Sequence, residues 1–592
     1  MLRKTKKRNV VMDQFARGDH LHARRRDYGP QYGQQIHTIS GSFGKVNFDG
    51  SHGYTRNIHL AQHGNKLIGR AVPSCSCTTC VDLFNEFCDR STLHGLKYVG
   101  DKKLHFVERL FWSVAFILAT ITAGYFINTV YAKWDETPVI VSIGARTTQL
   151  TDIPFPAITI CTMNEVRKSE ADRINKSKNK TDILFQKLMK DVCNNSNKEK
   201  PITKYSNKSD GFDTILNFMV TVRQPCHEMI KACYFAGDLK NCTDIFNPSL
   251  TDEGICCSFN KVKREYIFRN PRNLSDLNVT FPMDTVDWTP EAGYPPSSSP
   301  DTLPWRPRGS GTHLGLTIVL DAELQQFHCS TSASVGFKLL LHNPVETPKI
   351  ADFGSLIAPG REYRIKIKPV INNSTMSLRN VKEVSRQCAY SQDKYLQFYR
   401  TYTKRNCILE CEANYTFDVC KCVPFYLPKD INTPICGKEE ESCANKARKL
   451  LDMKILKEGQ IDMPEDWINP VCQCLPGCNE ISYVSSMTHS HMNASFAANK
   501  GYIEEAVLLN DEMRNSITVV HLYFTETQFL SYYKTELFGL SEFLSSTGGL
   551  LGLFIGFSFL SAVEILYFAS VRLWCGIVRR RNTAVNNYPF VE

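Results

Sequence analysis

The residues that suggest a chemistry lie in ELFGLSEFLSSTGGLLGLFIGFSFLSAVEILYFASV, Glu536 to Val571. The 21 residues between Glu542 and Glu564 carry no charge, enough for a helix to cross a bilayer. Ser545, Gly549, Gly552 and Gly556 step by four, three and four, so at roughly 100° per residue they form one stripe of small side chains. Gly548, Gly552 and Gly556 also repeat at GxxxG spacing, which lets helices approach closely. Ser558 breaks the pattern, because on a continuous helix it would sit roughly 220° around from Ser545. If both line one axis, the backbone breaks near Gly556-Phe557-Ser558. Irregular backbone at membrane depth is tolerated only where it is buried in protein or lines a wet cavity. The chemistry on offer is therefore non-covalent, with polar backbone groups facing water or ions inside a bilayer. On these residues alone, a plain anchor packed through small residues is an equal reading.

The elements that would position this stretch follow from charge and hydropathy. A second uncharged run, 23 residues from Leu110 to Ala132, lies between Arg109 and Lys133. It follows a hydrophilic leader of about 100 residues, so it does not read as a cleavable signal peptide. Lys97, Lys102, Lys103 and Arg109 precede it, and Asp135 and Glu136 follow. Arg572, Arg579, Arg580 and Arg581 follow the second run. By the positive-inside rule both termini are cytoplasmic and the loop between the runs is extracellular. Of the net charge of +10 on 592 residues, +8 sits in residues 1–100, which carry fifteen Lys or Arg and seven Asp or Glu. The cluster Arg3, Lys4, Lys6, Lys7 and Arg8 suits anionic lipid or plain solvation, and a nucleic-acid partner does not fit a membrane protein.

Cysteines and sequons point the same way. Eighteen of the 23 cysteines lie between Cys161 and Cys478. Every N-x-S/T sequon lies between the runs, at Asn175, Asn179, Asn194, Asn207, Asn241, Asn273, Asn278, Asn372, Asn373, Asn414 and Asn493. Both observations suit a glycosylated loop in an oxidising compartment. The cytosolic group Cys75, Cys77, Cys80 and Cys88 lacks a second ligand pair at zinc-finger spacing, so reduced thiols or acylation come ahead of a metal site.

Taken in order, residues 1–70 have no sustained period and read as disordered. The run Leu110–Ala132 is bulkier than the second and reads as an outer helix facing lipid. Pro138–Thr162 reads as extended, 165–250 as a peripheral lobe with short helices, and Pro290–Gly311 as a surface loop. Strand candidates at 314–320, 335–341, 361–368 and 516–524 imply a β-sheet core assembled from distant segments. Cys407 and Cys411 share a face of a helix with a rise of roughly 6 Å. Cys472 and Cys474 share a face of a strand at roughly 6.6 Å. The two pairs can form rungs of a ladder, Cys411–Cys472 and Cys407–Cys474, if the segments run antiparallel, although spacing alone leaves both zinc and other connectivities open.

STLHG before the first run, PAITIC after it, Cys472-x-Cys474-x3-Cys478 and GGLLGLFIGFS together resemble the degenerin/epithelial sodium channel family, from about residue 90 to 570. Cys256-Cys257 before SFN, and GFKLLLHNPVETP at 336–348, resemble its insect pickpocket branch. The resemblance implies an α+β membrane protein with two transmembrane helices and a large disulfide-rich extracellular domain built on a β-sheet palm with helical finger and thumb regions. The expected parts are a cytoplasmic region (1–102), a first helix (103–132), an extracellular domain (133–536) with a thumb-like part (388–478), a pore helix (537–571) and a cytoplasmic tail (572–592). It implies a trimeric, amiloride-sensitive, sodium-selective channel of the plasma membrane, not an enzyme, with no cofactor and no metal. Sodium ions, membrane lipid and related subunits in a homo- or heterotrimer are the implied partners.

By motif, Gly556-Phe557-Ser558 matches the family's selectivity filter, with Phe bulkier than the usual middle residue. Ser545 matches the degenerin position, where bulky residues hold such pores open. Gly549 and Gly552 belong to the pore stripe, His94 and Gly95 match the cytoplasmic His-Gly motif of a re-entrant loop, and Glu564 matches the acid below the filter. A ring of such carboxylates would favour cations, whereas a juxtamembrane acid at the headgroup level is the plainer reading. The resemblance also implies disulfides Cys161–Cys256, Cys233–Cys242, Cys388–Cys478, Cys407–Cys474, Cys411–Cys472, Cys420–Cys443 and Cys422–Cys436. The four cysteines left are expected to pair as Cys193–Cys226 and Cys257–Cys329. The rival function is a non-conducting receptor or modulatory subunit. An ectoenzyme finds no support, since GxSxG, HExxH and phosphate-binding loops are absent from the sequence.

Overall fold

Distant segments meet in the β-structure because each carries the pattern its place requires. Arg361–Ser374 alternates with period two, Tyr363, Ile365, Ile367 and Ile371 facing in and Arg364, Lys366 and Lys368 facing out. Leu316–Asp321 is buried along its whole length and Ile517–Phe524 along nearly all of it, as their continuous apolar runs demand. The structure, a computed structural model, describes residues 80–136, 138–193, 212–277, 279, 282–330, 332–458, 472–503 and 511–574. The basic leader with Cys75 and Cys77, the sequons at Asn194, Asn207 and Asn278, and the tail with Arg579, Arg580 and Arg581 lie outside the described residues.

The larger sheet runs, neighbour by neighbour, through Val139–Gln149, Gln528–Glu536, Arg361–Ser374, Ile517–Phe524, Leu316–Asp321, Ile230–Phe235 and Asp238–Lys240. Glu480–His491 also pairs with Arg361–Ser374. A second sheet orders Ser355–Ile357, Phe337–His342, Ala157–Thr162, Gly254–Phe259 and Phe246–Thr251. Both sheets contribute to one core, in which Phe155, Phe235 and Phe259 meet edge to face at 5.4–6.0 Å. Trp305 stacks on Phe235 at 5.0 Å. The stretch Pro290–Gly311 is therefore not simply a surface loop. Asn260 fastens it, donating to Phe155 O and accepting from Trp305 N–H, each at 2.6 Å, so that Leu303 and Trp305 plug the core. Its Pro, Ser and Gly content hides the two apolar residues that decide its position.

Nine disulfides form among the described residues. Seven are the pairs that the family resemblance implies. The other two correct the expectation: Cys193 bonds Cys329 and Cys226 bonds Cys257. The reason is the pleat. Cys256 and Cys257 are neighbours on one strand and so face opposite sides. Cys256 turns to Cys161 among Leu340 and Ile350, while Cys257 turns into the main core, where Cys226 packs. Cys329 is carried away by the pairing of Phe327–Ser330 with Asn164–Arg167, against the helical lobe that ends at Cys193. The ladder also departs from its expected geometry. Cys472 and Cys474 lie in a segment outside any strand, with Gln473 at φ 30°.

The helices needed below are α1 (Cys80–Arg90), α2 (Leu96–Gly100), α3 (Phe106–Glu136), α4 (Lys404–Cys420), α5 (Lys438–Glu458), α6 (Leu540–Ile555) and α7 (Phe559–Tyr567). Cys420–Cys443 and the two ladder bridges clamp α4 to α5 and to 472–474. Among the described residues, α3 alone is long and apolar enough to cross a membrane as one helix. The second apolar run is not a single helix but a bent pair, Leu540–Ile555 and Phe559–Arg572, at 73°. Phe111, Ile117, Leu118, Ile121 and Tyr125 of α3 are exposed. Of the described sequons, Asn175, Asn179, Asn241, Asn273, Asn414 and Asn493 are exposed, while Asn372 and Asn373 are half-buried within the larger sheet.

Candidate functional site

The bend is built by two residues with opposite tasks. Gly556 ends α6 in the left-handed region at φ 66°, which costs other residues roughly 1–2 kcal/mol. Its N–H donates to Gly552 O at 3.0 Å, and the Phe557 N–H reaches back to Leu551 O at 3.2 Å. Ser558 then starts α7 through a capping box. The Ser561 N–H donates to Ser558 Oγ at 3.2 Å, and the Ser558 N–H donates to Ser561 Oγ at 3.1 Å. Between the two helices, among the described residues, the carbonyls of Gly556 and Phe557 accept no hydrogen bond from the protein backbone. Two strong acceptors are left for solvent or a cation.

The turn before the first long helix docks against this break. The His94 N–H donates to Ile555 O at 3.0 Å, and its ring lies over Gly556, where a Cβ would come within 2.4 Å of Nδ1. Gly95, at φ 83°, starts α2. Thr92 gives both its N–H and its hydroxyl to Glu564 Oε2, each at 3.1 Å, and its Oγ lies 2.8 Å from Ser561 Oγ. Ser558, Ser561, Thr92 and Glu564 thus form one polar chain from the break to the acid below it. Beneath them Arg572 bonds both oxygens of Glu86 at 2.6 and 2.8 Å, and Phe87 meets Phe568 edge-on at 5.4 Å. Cys88 is fully buried with Leu93, Leu96 and Ile555, and desolvation raises its thiol pKa. A buried, protonated thiol is a poor acylation site.

Phe557 packs into that same apolar cluster, beside Phe554 and Phe116. Its ring is half-buried against its own chain, and the backbone carbonyls beside it are what the break presents. The small residues face elsewhere. Phe543 of α6 meets Trp134 of α3 at a tilt, 5.4 Å between ring centres, and Phe554 stacks on Phe126 at 5.8 Å. Ser545, Gly549 and Gly552 lie roughly 180–240° around the helix from Phe543, on the side away from α3. Ser545 is exposed, and a Cβ on Gly548 or Gly549 would meet nothing within 4 Å.

The profile described as "ASC: Amiloride-sensitive sodium channel" matches residues 87–568, more than four-fifths of the chain. The chain belongs to this family. Pickpocket protein 28 of Drosophila melanogaster is 36% identical over 496 residues, 83% of this chain and 78% of that protein. Sodium channel protein Nach of the same species is 22% identical over 505 residues (83% and 87%), and acid-sensing ion channel 1 of Gallus gallus is 24% identical over 518 (82% and 82%). The structure brings His94, Gly95, Gly556, Phe557, Ser558 and Glu564 together and leaves Ser545 and Gly549 on the open face of α6. Sequence reasoning missed Thr92, Ser561, Glu86 and Arg572 as partners. The S-x-x-S spacing of Ser558 and Ser561 offered a capping signal, whereas the Thr92 and Glu86 contacts span more than 450 residues and leave no local trace.

Proposed function

We propose that three copies of this chain surround one axis and pass sodium passively across the plasma membrane, subject to block by amiloride. The observation that carries this reading is the break at Gly556-Phe557-Ser558, with two unclaimed carbonyls on a helix whose small face is turned away from α3. Three such faces, through Ser545, Gly549 and Gly552, approach closely enough to enclose a narrow path. The carbonyls replace part of the hydration shell of an ion at the filter, and Glu564 adds negative charge on the cytoplasmic side. Topology follows from the flanking charges, with α3 and the bent pair as two spans, both termini cytoplasmic and the disulfide-rich domain outside. His94 and Gly95 hold the lower pore through the docked turn. Gating passes from the extracellular domain to the spans, with the bridged α4–α5 block as a stiff lever. The protein is a channel and no catalytic step is assigned to it.

Expression of the full chain alone, and with related subunits, tests this by recording sodium current with and without amiloride at confirmed surface delivery. An amiloride-blocked sodium current is expected. Current only in combination would make the chain a modulatory subunit, and no current in any combination would refute the channel assignment.

A further inference from the structure

A cavity of about 370 Å³ opens between the turn Cys242–Ile245 and the stretch 300–308, beside the end of the larger sheet where Ile230–Phe235 pairs with Asp238–Lys240. Small-molecule sites commonly enclose roughly 300–1,000 Å³, mostly apolar, with a few fixed polar groups. Both walls are fixed here. Cys233–Cys242 ties the turn to its strand, and Asn241 Oδ1 caps it by accepting from the Thr243 N–H at 3.4 Å. The other wall is anchored by Leu303 and Trp305, buried in the core.

Five charged residues line the cavity, Lys240, Asp244, Asp301, Arg306 and Arg308. Lys240 pairs with Asp238 at 3.3 Å, and Arg308 with Asp301 at 2.9 Å. Arg306 and Asp244 remain, one of each sign. Among the described residues they ion-pair neither with each other nor with another side chain. Arg306 is nevertheless held in place. Its guanidinium lies over the Tyr294 ring at 4.0 Å and donates to Ser298 Oγ at 2.5 Å, while the Tyr294 hydroxyl donates to Pro304 O at 2.6 Å. A stacked guanidinium offers its other N–H groups as a rigid fork, the shape that takes a carboxylate through parallel bonds. Asp244, exposed on the Cys242–Ile245 turn, offers an acceptor to an ammonium. Phe235, Ile245, Met283 and Trp305 supply the apolar part of the lining. A simple anion would leave Asp244 facing it, and a simple cation would leave Arg306 facing it. A ligand carrying both charges meets neither penalty.

We propose that this cavity binds a small zwitterion, an α-amino acid with an aliphatic side chain. Its carboxylate sits on Arg306, its ammonium on Asp244, and its side chain against the apolar lining. Occupancy ties the stretch 300–308 to the edge of the larger sheet. The site shares no residue with the break in the bent pair, so binding does not depend on what the chain conducts.

The test uses the purified full chain in lipid nanodiscs, with thermal unfolding followed at pH 7 and constant ionic strength. The probes are leucine, leucinamide, which keeps the ammonium alone, and isocaproate, which keeps the carboxylate alone. Leucine is expected to raise the midpoint saturably, and each analogue should need at least a tenfold higher concentration for the same shift. Asp244→Asn should abolish the advantage of leucine over isocaproate, and Arg306→Met its advantage over leucinamide. Should Arg306→Met lose its cooperative transition, Asp244→Asn on the exposed turn still carries the test. No saturable shift with leucine, equal shifts with the three probes, or an undiminished advantage over isocaproate in Asp244→Asn would each overturn the site. Leucine binding confined to Asn241→Gln protein would assign the cavity to a glycan on that rim sequon instead, and would also overturn it.

Discussion

Gly556→Ala separates the two constraints that converge on the break. The left-handed backbone at φ 66° costs an alanine roughly 1–2 kcal/mol. The added Cβ would also fall 2.4 Å from His94 Nδ1, so the docked turn must move. Moving it gives up the bond from the His94 N–H to Ile555 O, a net contribution of about 0.5–1.5 kcal/mol. The total, about 1.5–3.5 kcal/mol, shifts the balance between docked and undocked turn by roughly 10- to 300-fold, at about 1.4 kcal/mol per factor of ten. Cys88 reports that balance, because it is buried with Leu93 and Leu96 of the same turn and α2. In a background with Cys75, Cys77, Cys80 and Cys575 changed to serine, the labelling rate of Cys88 by a membrane-permeant thiol reagent follows the undocked fraction. Gly556→Ala should accelerate it within that range. Adding His94→Ala should remove the steric part and leave a coupling of about 0.5–1.5 kcal/mol in the double-mutant cycle. An unaltered rate in Gly556→Ala, or strictly additive effects of the two substitutions, would refute the docking argument.

Ser545→Phe should raise resting sodium conductance, since Ser545 is exposed on the face that three copies would share in the proposed trimer; an unchanged leak at normal surface expression would refute the register. Peptide mapping of the non-reduced protein should recover Cys193–Cys329 and Cys226–Cys257, and recovery of Cys193–Cys226 would contradict the strand-face argument. Desolvation, opposed by Arg405 at 3.7 Å, pushes Glu346 up to about 7. Because the folded value is raised, its favourable contribution is complete below about pH 4.3, the unfolded value, and is lost as pH rises through 7. Glu346→Gln should therefore flatten the fall in unfolding free energy between pH 5 and pH 8, by an amount on the order of 1–3 kcal/mol at pH 8. An identical pH profile in the variant would show that Glu346 does not titrate in that range.

What could be read from the chain depended on how local its physics is. Alternation in REYRIKIK and the apolar run LGLTIVL announced strands because side-chain period is a local property. The uncharged run Leu110–Ala132 announced the long apolar helix α3 for the same reason. The break was legible because Ser545 and Ser558 cannot share an axis on one helix. The direction of the Phe557 ring was not, since it depends on Leu93 and Leu96, which arrive from more than 450 residues away. The last two disulfides failed for a related reason: adjacent cysteines diverge only once a strand, and not a turn, is known to carry them. Trp305 was lost in a stretch whose composition reads as loop, yet its ring stacks at the centre of the core.

The central claim is that Gly556-Phe557-Ser558 selects the ion. The most direct measurement is the reversal potential under sodium-for-potassium exchange in Ser545→Phe channels, with Ser558 intact and with Ser558→Ala. Ser558 Oγ caps Ser561 at 3.2 Å, so its loss loosens the start of α7 and the carbonyls beside it. A sodium-favouring reversal potential that moves toward the potassium side in Ser558→Ala is the expected result. An identical sodium preference in the two channels, at matched surface expression, would place selectivity elsewhere in the chain.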